Sequence, residues 1–199
     1  MTSQRKTDEH QYQFTPTTVT MQPTPISIRK AGIEDNELIA ALGRRTFFDS
    51  FAADNHPEDM DAYLDKAFSP NIQAAELAQP SSFFLIAEAK GVPVGYARLA
   101  ETPVPPCIDS SRPIQLMRLY ACNERIGSGV GSALMSACIA QTRGREYDGI
   151  WLGVWSKNRR AIRFYRKWGF SEMGTQPFLL GNDRQTDLVL WLPLKVPPQ

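Results

Sequence analysis

Three glycines at alternate positions, Gly127, Gly129 and Gly131, separate a strand-like run from a helical run, and this turn limits the folds open to the chain more than any other feature. A glycine has no Cβ, so the backbone at such a turn can present its amide groups to a ligand. The N-terminus of the helix that follows adds partial positive charge. The turn is therefore predicted to bind a phosphate group.

Several kinds of phosphate turn use the same physics, and two of them do not fit. A P-loop ends in Gly-Lys-Ser or Gly-Lys-Thr, whereas Val130-Gly131-Ser132 contains no lysine. A dinucleotide-binding turn has a third glycine where Ser132 stands, and it follows the first strand of a parallel sheet. The glycines alone would also allow nothing more than close helix packing, so the ligand must be inferred from the rest of the chain.

The spacing of hydrophobic residues divides the chain into strands and helices in the order β, two or three helices, β, β, β, α, β, α, β, β. Lys90-Gly91 and Gly181-Asn182-Asp183 are predicted to turn two hairpins. This order predicts one mixed α/β sheet with helices packed on it, over residues 26–196. Residues 1–25, polar and repeatedly interrupted by Thr and Pro, are predicted to be a disordered extension.

Composition excludes several classes of partner. The formal net charge of +1 over 199 residues gives no basic field of the kind that binds nucleic acid. No stretch is long and apolar enough for a membrane span. Cys107, Cys122 and Cys138 are odd in number and lack metal-ligand spacing, so we expect no disulfide framework, no metal site and a cytoplasmic location.

The glycine turn occurs in a specific context. It follows the strand Leu116–Tyr120 and precedes Asn158 and the segment Phe164–Phe170. Together these features resemble the GCN5-related N-acetyltransferase (GNAT) superfamily, over the chain from about Ile26 to Leu194. The resemblance implies a mostly antiparallel sheet of about seven strands, four to five helices, and a splayed parallel strand pair whose gap receives the cosubstrate acetyl-CoA.

The same resemblance implies roles for individual residues. The main chain of Leu119, Tyr120 and Ala121 would bind the pantetheine arm of CoA, and Tyr165 would act as the general acid that protonates the CoA sulfur. Asn158 would contact CoA, although it is equally suited to cap a helix, and Tyr165 could also be a core residue. The pyrophosphate would be bound by the amides of Gly127, Ser128, Gly129, Val130, Gly131 and Ser132.

Two positions depart from the family pattern. Ile126 stands where relatives usually have Gln or Arg before the first glycine, and Arg125 is displaced by one position. Gln115 stands where relatives often have a glutamate that accepts a proton from the amine, and a neutral amide cannot accept it. The proton acceptor is therefore either an ordered water chain or a carboxylate between Asp49 and Asp65.

The acceptor is predicted from charge and from a closer resemblance. Residues 34–66 contain nine carboxylates against three basic side chains, Arg44, Arg45 and Lys66, which would attract a polycation unless they form an ordinary solvated helix face. Blocks such as Pro57–Leu64 and Phe178–Leu188 resemble the PaiA-type bacterial spermine/spermidine acetyltransferases. The predicted acceptor is a small-molecule amine, a polyamine. The alternatives are a protein N-terminus, a lysine, another small amine, or a non-catalytic CoA-binding regulatory module, and Gln185-Thr186-Asp187 could pack a homodimer.

Overall fold

The structure is a computed structural model that describes residues 25–194. The strands are β1 (Ile26–Lys30), β2 (Ser82–Ala89), β3 (Val92–Ala100), β4 (Pro113–Ala121), β5 (Gly149–Trp155), β6 (Ser171–Leu180) and β7 (Asp183–Pro193). The helices are α1 (Asn36–Phe51), α2 (Pro57–Ala67), α3 (Pro70–Leu77), α4 (Val130–Gly144) and α5 (Arg159–Lys167). The predicted 1–25 extension lies outside the described residues, apart from Pro25.

All seven strands form one sheet in the order β1-β2-β3-β4-β5-β7-β6. Every neighbouring pair is antiparallel except β4 and β5, which run parallel. This confirms the predicted fold class, a mixed and mostly antiparallel sheet with one parallel pair and five flanking helices. The parallel pair is joined through α4, as a parallel connection requires.

The helices cover the two faces of the sheet unequally. The larger core lies under α4 and α5, where Leu134 and Cys138 of α4 and Ile162 of α5 pack on β2 to β5 and β7. The opposite face is covered by α1, α2 and α3 through two smaller clusters, one around Ile39 and one around Phe47. We call these the α4/α5 face and the α1–α3 face.

Local signals in the sequence account for several element boundaries. Pro57 begins α2 after His56, and Pro70 begins α3. The Ser69 side chain caps α3 by accepting a hydrogen bond of 3.3 Å from the Ile72 amide. The first hairpin turns at Lys90-Gly91 as predicted, whereas the second turns at Gly181-Asn182 because β7 already begins at Asp183.

A buried ionic cluster fastens α3 to the sheet. The Glu76 carboxylate accepts hydrogen bonds from Arg98 of β3, at 2.8 Å, and from Arg118 of β4, at 2.5 and 3.0 Å. The three side chains are 14%, 6% and 10% exposed, respectively. One carboxylate therefore holds two guanidinium groups beneath the end of the parallel pair.

Candidate functional site

The parallel strands β4 and β5 separate after a short pairing. Their register covers only Pro113 to Gln115 on β4, opposite Gly149 to Trp151 on β5. At that point Met117 is an extra residue in the β3–β4 ladder, because Leu99 pairs with Leu116 and Arg98 with Arg118. A bulge of this kind bends the strand that carries it. The rest of β4 consequently keeps its hydrogen bonds to β3 and leaves its other edge open toward β5.

A cavity of about 550 Å³ occupies the opening between the strands, a volume typical of small-molecule and cofactor sites. Its walls come from β4, β5, the glycine turn, α4, α5 and the end of α1. Nine of the predicted site residues line it. They are Leu119, Tyr120, Ala121, Gly127, Gly129, Gly131, Ser132, Asn158 and Tyr165.

Two predicted residues do not line the cavity. Val130 is 1% exposed and packs into the α4/α5 core. Ser128 is turned back on the preceding turn, where its amide and hydroxyl donate to the Arg125 carbonyl at 3.1 and 2.7 Å. The Ser128 amide is therefore occupied, in contrast to the prediction that the whole run of amides is free.

The glycine turn places free amides at one end of the cavity. Gly127 and Gly129 have φ angles of +84° and +92°, which only glycine adopts readily. They bring the chain into α4 with Gly129 as the N-cap. Within residues 25–194, no carbonyl accepts a hydrogen bond from the first-turn amides of Val130, Gly131 and Ser132. Free amides at a helix N-terminus are the donor arrangement that binds anions in other proteins.

Basic side chains surround the same end of the cavity. Arg160, Arg163 and Lys167 of α5 line it together with Arg125, and no carboxylate does so among the described residues. Sequence reasoning missed the three α5 residues. Their spacing of three and then four positions puts them on one side of a helix, which was the available signal. Positive charge on this side complements a ligand with several phosphates.

Tyr165 lies deeper in the cavity wall, against Phe164 and Phe170. It is 9% exposed, and burial raises the pKa of its phenol, with a smaller contribution from Cys138. The phenol is therefore protonated at neutral pH. Two turns earlier, Asn158 caps α5 by accepting a hydrogen bond of 3.0 Å from the Ala161 amide while also lining the cavity, so its two predicted roles are compatible.

The acceptor side of the cavity opens on the α1–α3 face. Ser50 and Phe51 at the end of α1 line the cavity, and Phe51 packs against Trp155 with ring centroids 6.2 Å apart. The segment that follows α1 contacts the β6–β7 hairpin. There the Gln185 side-chain amide donates to Asn55 at 2.6 Å, and the Asn182 backbone amide donates to Asp59 at 2.7 Å.

The carboxylates named as possible proton acceptors do not line the cavity. No carboxylate between Asp49 and Asp65 lines it. Gln115 accepts a hydrogen bond of 2.7 Å from Thr102 and is also absent from its walls. A carboxylate that sequence reasoning assigned only to a hairpin, Asp187 of β7, is instead buried against the α1–α3 face beside Gly153, a cavity residue. Asp187 shares a face of β7 with Val189 and Trp191, but the intervening Leu188 and Leu190 are equally apolar, so the sequence pattern did not indicate the direction of the acid.

Part of the predicted acidic surface is neutralised. Asp35 is buried and accepts two hydrogen bonds of 2.8 Å from Arg29, which together with its other contacts lowers the pKa of the carboxyl. Asp65 pairs with Arg44 at 2.6 Å. Four exposed carboxylates near the hairpin form no ion pair with any described residue. They are Asp54, Glu58, Asp61 and Asp183.

No helix within residues 25–194 combines the length and apolar composition needed to cross a membrane. In the same part of the chain, no group of three or more His, Cys, Asp or Glu side chains is placed to hold a metal ion. The described cysteines are all free thiols.

A splayed parallel pair beside a phosphate-binding turn and a protonated tyrosine is the arrangement of a CoA-dependent acyltransferase. The sequence model of the acetyltransferase (GNAT) family matches residues 44–170, about two thirds of the chain. An uncharacterised N-acetyltransferase from Lactobacillus delbrueckii is 32% identical over 169 residues, which cover 84% of this chain and 96% of that protein. The chain belongs to the GNAT family and is an acetyl-CoA-dependent N-acetyltransferase.

Solved structures share the fold. The PaiA N-acetyltransferase from Thermoplasma acidophilum in complex with coenzyme A has a TM-score of 0.72 and 21% identity, over 85% of this chain and 99% of that one. The ribosomal-protein-S18-alanine N-acetyltransferase from Escherichia coli has a TM-score of 0.65 and 16% identity, over 88% and 97%. The second name gives a ribosomal-protein alanine as acceptor and the first gives no acceptor, so the shared fold does not identify the acceptor, which must be argued from the site.

Proposed function

We propose that the protein transfers the acetyl group of acetyl-CoA to a primary amine of a polyamine such as spermidine or spermine, with Tyr165 as the general acid. The observation that carries this proposal is the cavity itself. It joins an amide-lined end with basic side chains to walls formed by Ser50 and Phe51 on the α1–α3 face. The four exposed carboxylates near the β6–β7 hairpin lie outside these walls. A polyanionic donor and a polycationic acceptor would approach from opposite sides.

Acetyl-CoA supplies the acetyl group as a thioester. The open edge of β4 at Leu119, Tyr120 and Ala121 offers backbone groups to the pantetheine arm, in the manner of an added strand. The free amides at the start of α4 bind the pyrophosphate, and the basic side chains of α5 bind the remaining phosphate charge. Because backbone amides make the main contacts, Ile126 in place of a polar residue does not prevent binding.

Tyr165 supplies the proton for the departing thiolate. Because burial keeps the phenol protonated at neutral pH, it can donate without carrying charge at rest. The side chain is held between Phe164 and Phe170, so its position does not depend on the ligand. Asn158 fixes the start of the same helix through its cap.

The preference for a polyamine is supported by the surface beside the opening. The exposed carboxylates Asp54, Glu58, Asp61 and Asp183 carry four negative charges with no ion-pair partner among the described residues. A second or third ammonium group of a polyamine would lie against this surface while one amine enters the cavity. The resemblance of the Pro57–Leu64 and Phe178–Leu188 blocks to PaiA-type enzymes points to the same acceptor class.

The test is a thiol-release assay with acetyl-CoA and a panel of acceptors. We expect spermidine and spermine to give higher kcat/KM than a peptide with a free N-terminus, a lysine peptide or an aminoglycoside, and the advantage to shrink as salt is raised. Thiol release with a peptide or drug amine but with no polyamine would overturn the polyamine as acceptor and support the acetyltransferase activity. CoA binding without release to any amine would favour the regulatory module.

A paired substitution separates the acidic surface from general effects of charge. Glu58→Gln with Asp183→Asn should raise KM for spermidine and leave KM for acetyl-CoA unchanged. Glu172→Gln, which removes an exposed carboxylate of β6 paired with Arg166, is the matched control. The free cysteines are consistent with the cytoplasm as the compartment we propose. A homodimer stays a prediction.

A further inference from the structure

Asp187 is a buried carboxylate without a partner among the described residues. It lies on β7, paired with Trp155 of β5 and with Gln176 of β6, and it is 8% exposed. Desolvation is the one influence that shifts the pKa of its carboxyl, and no hydrogen bond or ion pair from residues 25–194 offsets it. Buried carboxylates are normally paired or hydrogen-bonded, because desolvation strongly disfavours the charged form. A position such as this in the middle of a sheet calls for a reason other than stability.

A notch in the neighbouring strand connects Asp187 with the cavity. Gly153 of β5 lines the cavity and carries no side chain on the face where Asp187 lies. A Cβ at Gly153 would come within 2.9 Å of the Asp187 Oδ2 and 2.7 Å of the Gln176 Nε2, closer than real Cβ atoms approach. The glycine therefore leaves room for both polar groups at the cavity wall.

The surroundings of Asp187 bias it toward taking up a proton. Burial raises the pKa of its carboxyl to about 6. The titratable group that faces it is the phenol of Tyr63 on α2, whose own pKa is raised mainly by burial, with Asp187 adding to the effect and Arg118 opposing it. The other packed elements present Gly153 and Trp155 from β5 and Gln176 from β6, all uncharged. No cation of the described residues holds the carboxylate in its ionised form.

We propose that Asp187 is the general base of the reaction: it receives the ammonium group of the acceptor through the Gly153 notch and takes one of its protons. This role rests on the proposed transfer to an amine. It fills the function for which Gln115 is unsuited. Asp187 does not line the cavity itself, but its Oδ2 lies beside the cavity residue Gly153, whereas no carboxylate of residues 49–65 lines the cavity. Gln176, directed at the same notch, is a positioning residue.

The proton balance closes with the groups on the page. One proton of the ammonium passes to Asp187 and from there to solvent, and the neutral amine forms the new C–N bond as the C–S bond breaks. The thiolate takes a proton from Tyr165. The second amine proton, released when the amide forms, restores the phenol through water. The net products are the acetylated amine, CoA and one proton.

The test compares wild type, Asp187→Asn and Asp187→Glu with whichever amine gives the highest kcat/KM in the acceptor screen. We expect the asparagine variant to lose at least about a hundredfold in kcat/KM, the glutamate variant to recover part of it, and CoA affinity to stay within about twofold of wild type. Wild-type kcat/KM should fall as pH is lowered through about 6, where Asp187 becomes protonated. This acid limb of the pH profile should be absent in Asp187→Asn. Glu172→Gln is the control and should retain wild-type kinetics and the limb.

The outcomes separate the two proposals. Failure of every polyamine with activity on another amine overturns the acceptor and leaves Asp187 to be tested on that amine. Retention of more than about a third of wild-type kcat/KM in Asp187→Asn, with its acid limb intact, overturns the base. A drop in melting temperature and CoA affinity that accounts for the lost activity would show a merely structural role and also overturns it.

Discussion

The phenol of Tyr165 lies where burial keeps it protonated, and a single substitution can isolate its hydroxyl. Tyr165→Phe preserves the ring that packs between Phe164 and Phe170. If the hydroxyl donates the proton to the thiolate, kcat should fall about 10²–10³-fold, the usual contribution of a positioned acid. CoA affinity should change little. Steady-state kinetics with acetyl-CoA, and calorimetry with CoA, measure the two effects.

Tyr147 provides the matched control for that substitution. It is also a buried tyrosine of the α4/α5 side, but its hydroxyl donates to Glu101 at 2.7 Å and it does not line the cavity. Tyr147→Phe should cost about 1.5–3 kcal/mol of stability, the usual worth of a hydrogen bond to a carboxylate, without changing kcat by more than about twofold. Equal kcat for Tyr165→Phe and Tyr147→Phe would contradict the acid assignment.

Gly131 tests the phosphate site without disturbing the fold. A Cβ there would meet Phe164 at 3.5 Å, an ordinary contact, and its φ is not positive. Gly131→Ala should therefore fold normally, yet its methyl group would project into the cavity beside the free amides. Because a hydrogen bond to a charged group is worth about 1.5–3 kcal/mol, the Kd for CoA should rise at least about tenfold. Gly144→Ala, at the other end of α4, should leave Kd unchanged.

At the scale of elements, the ionic cluster under β4 predicts a large effect on stability. Glu76→Gln removes the carboxylate that neutralises the buried guanidinium groups of Arg98 and Arg118. Breaking a buried pair in this way costs about 3 kcal/mol or more, which is roughly 6–12 °C in melting temperature for a chain of this size. Glu172→Gln, which breaks the exposed pair with Arg166, should shift the melting temperature by about 4 °C at most, because such a pair is worth up to about 1 kcal/mol. Thermal unfolding at neutral pH compares the two.

Elements that depend on neighbouring residues were predictable. The Pro57 and Pro70 helix starts, the Lys90-Gly91 hairpin and the glycine turn each follow from a few adjacent residues with strong backbone preferences. The bulge at Met117 was not predictable, because it depends on the register of β3 against β4. That bulge opens β4 toward β5, so the shape of the cavity is a property of strand pairing rather than of local sequence.

At the scale of the whole molecule, the site combines segments that are far apart in the chain. The fold class and the nine predicted residues that line the cavity came from motifs and the family resemblance, because the donor side is built on one strand, one turn and two helices. The acceptor side joins α1, α2, β5 and the β6–β7 hairpin, and long-range packing alone brings Asp187 to Gly153. The sequence placed Asp187 in a hairpin, but neither its burial nor its position beside Gly153 followed from the residues around it.

Asp187 also predicts how the stability of the whole chain depends on pH. Its pKa is about 6 in the folded protein and 3.8 in its ordinary state, so between these values the native state binds the additional proton. The free energy of unfolding contributed by Asp187 therefore increases as pH falls from about 7 to 4, by about 2–3 kcal/mol at 1.36 kcal/mol per pKa unit. Asp35 and Asp148, whose pKa values are lowered, act in the opposite sense: the stability that they contribute at neutral pH is lost as pH falls.

The contribution of Asp187 is separated from those of Asp35 and Asp148 by comparing the unfolding free energies of wild type and Asp187→Asn. Asp35 and Asp148 are present in both wild type and Asp187→Asn, so their contributions cancel when the two unfolding free energies are subtracted. The buried amide that the substitution introduces adds a constant offset, which is also independent of pH. As pH rises from about 4 to 8, the free energy of unfolding of the variant minus that of wild type should therefore increase by about 2–3 kcal/mol. Urea unfolding at each pH measures this difference. A difference that stays flat over this range would mean that Asp187 is ionised in the native state throughout it. The carboxylate would then be too weak a base to take a proton from an ammonium group.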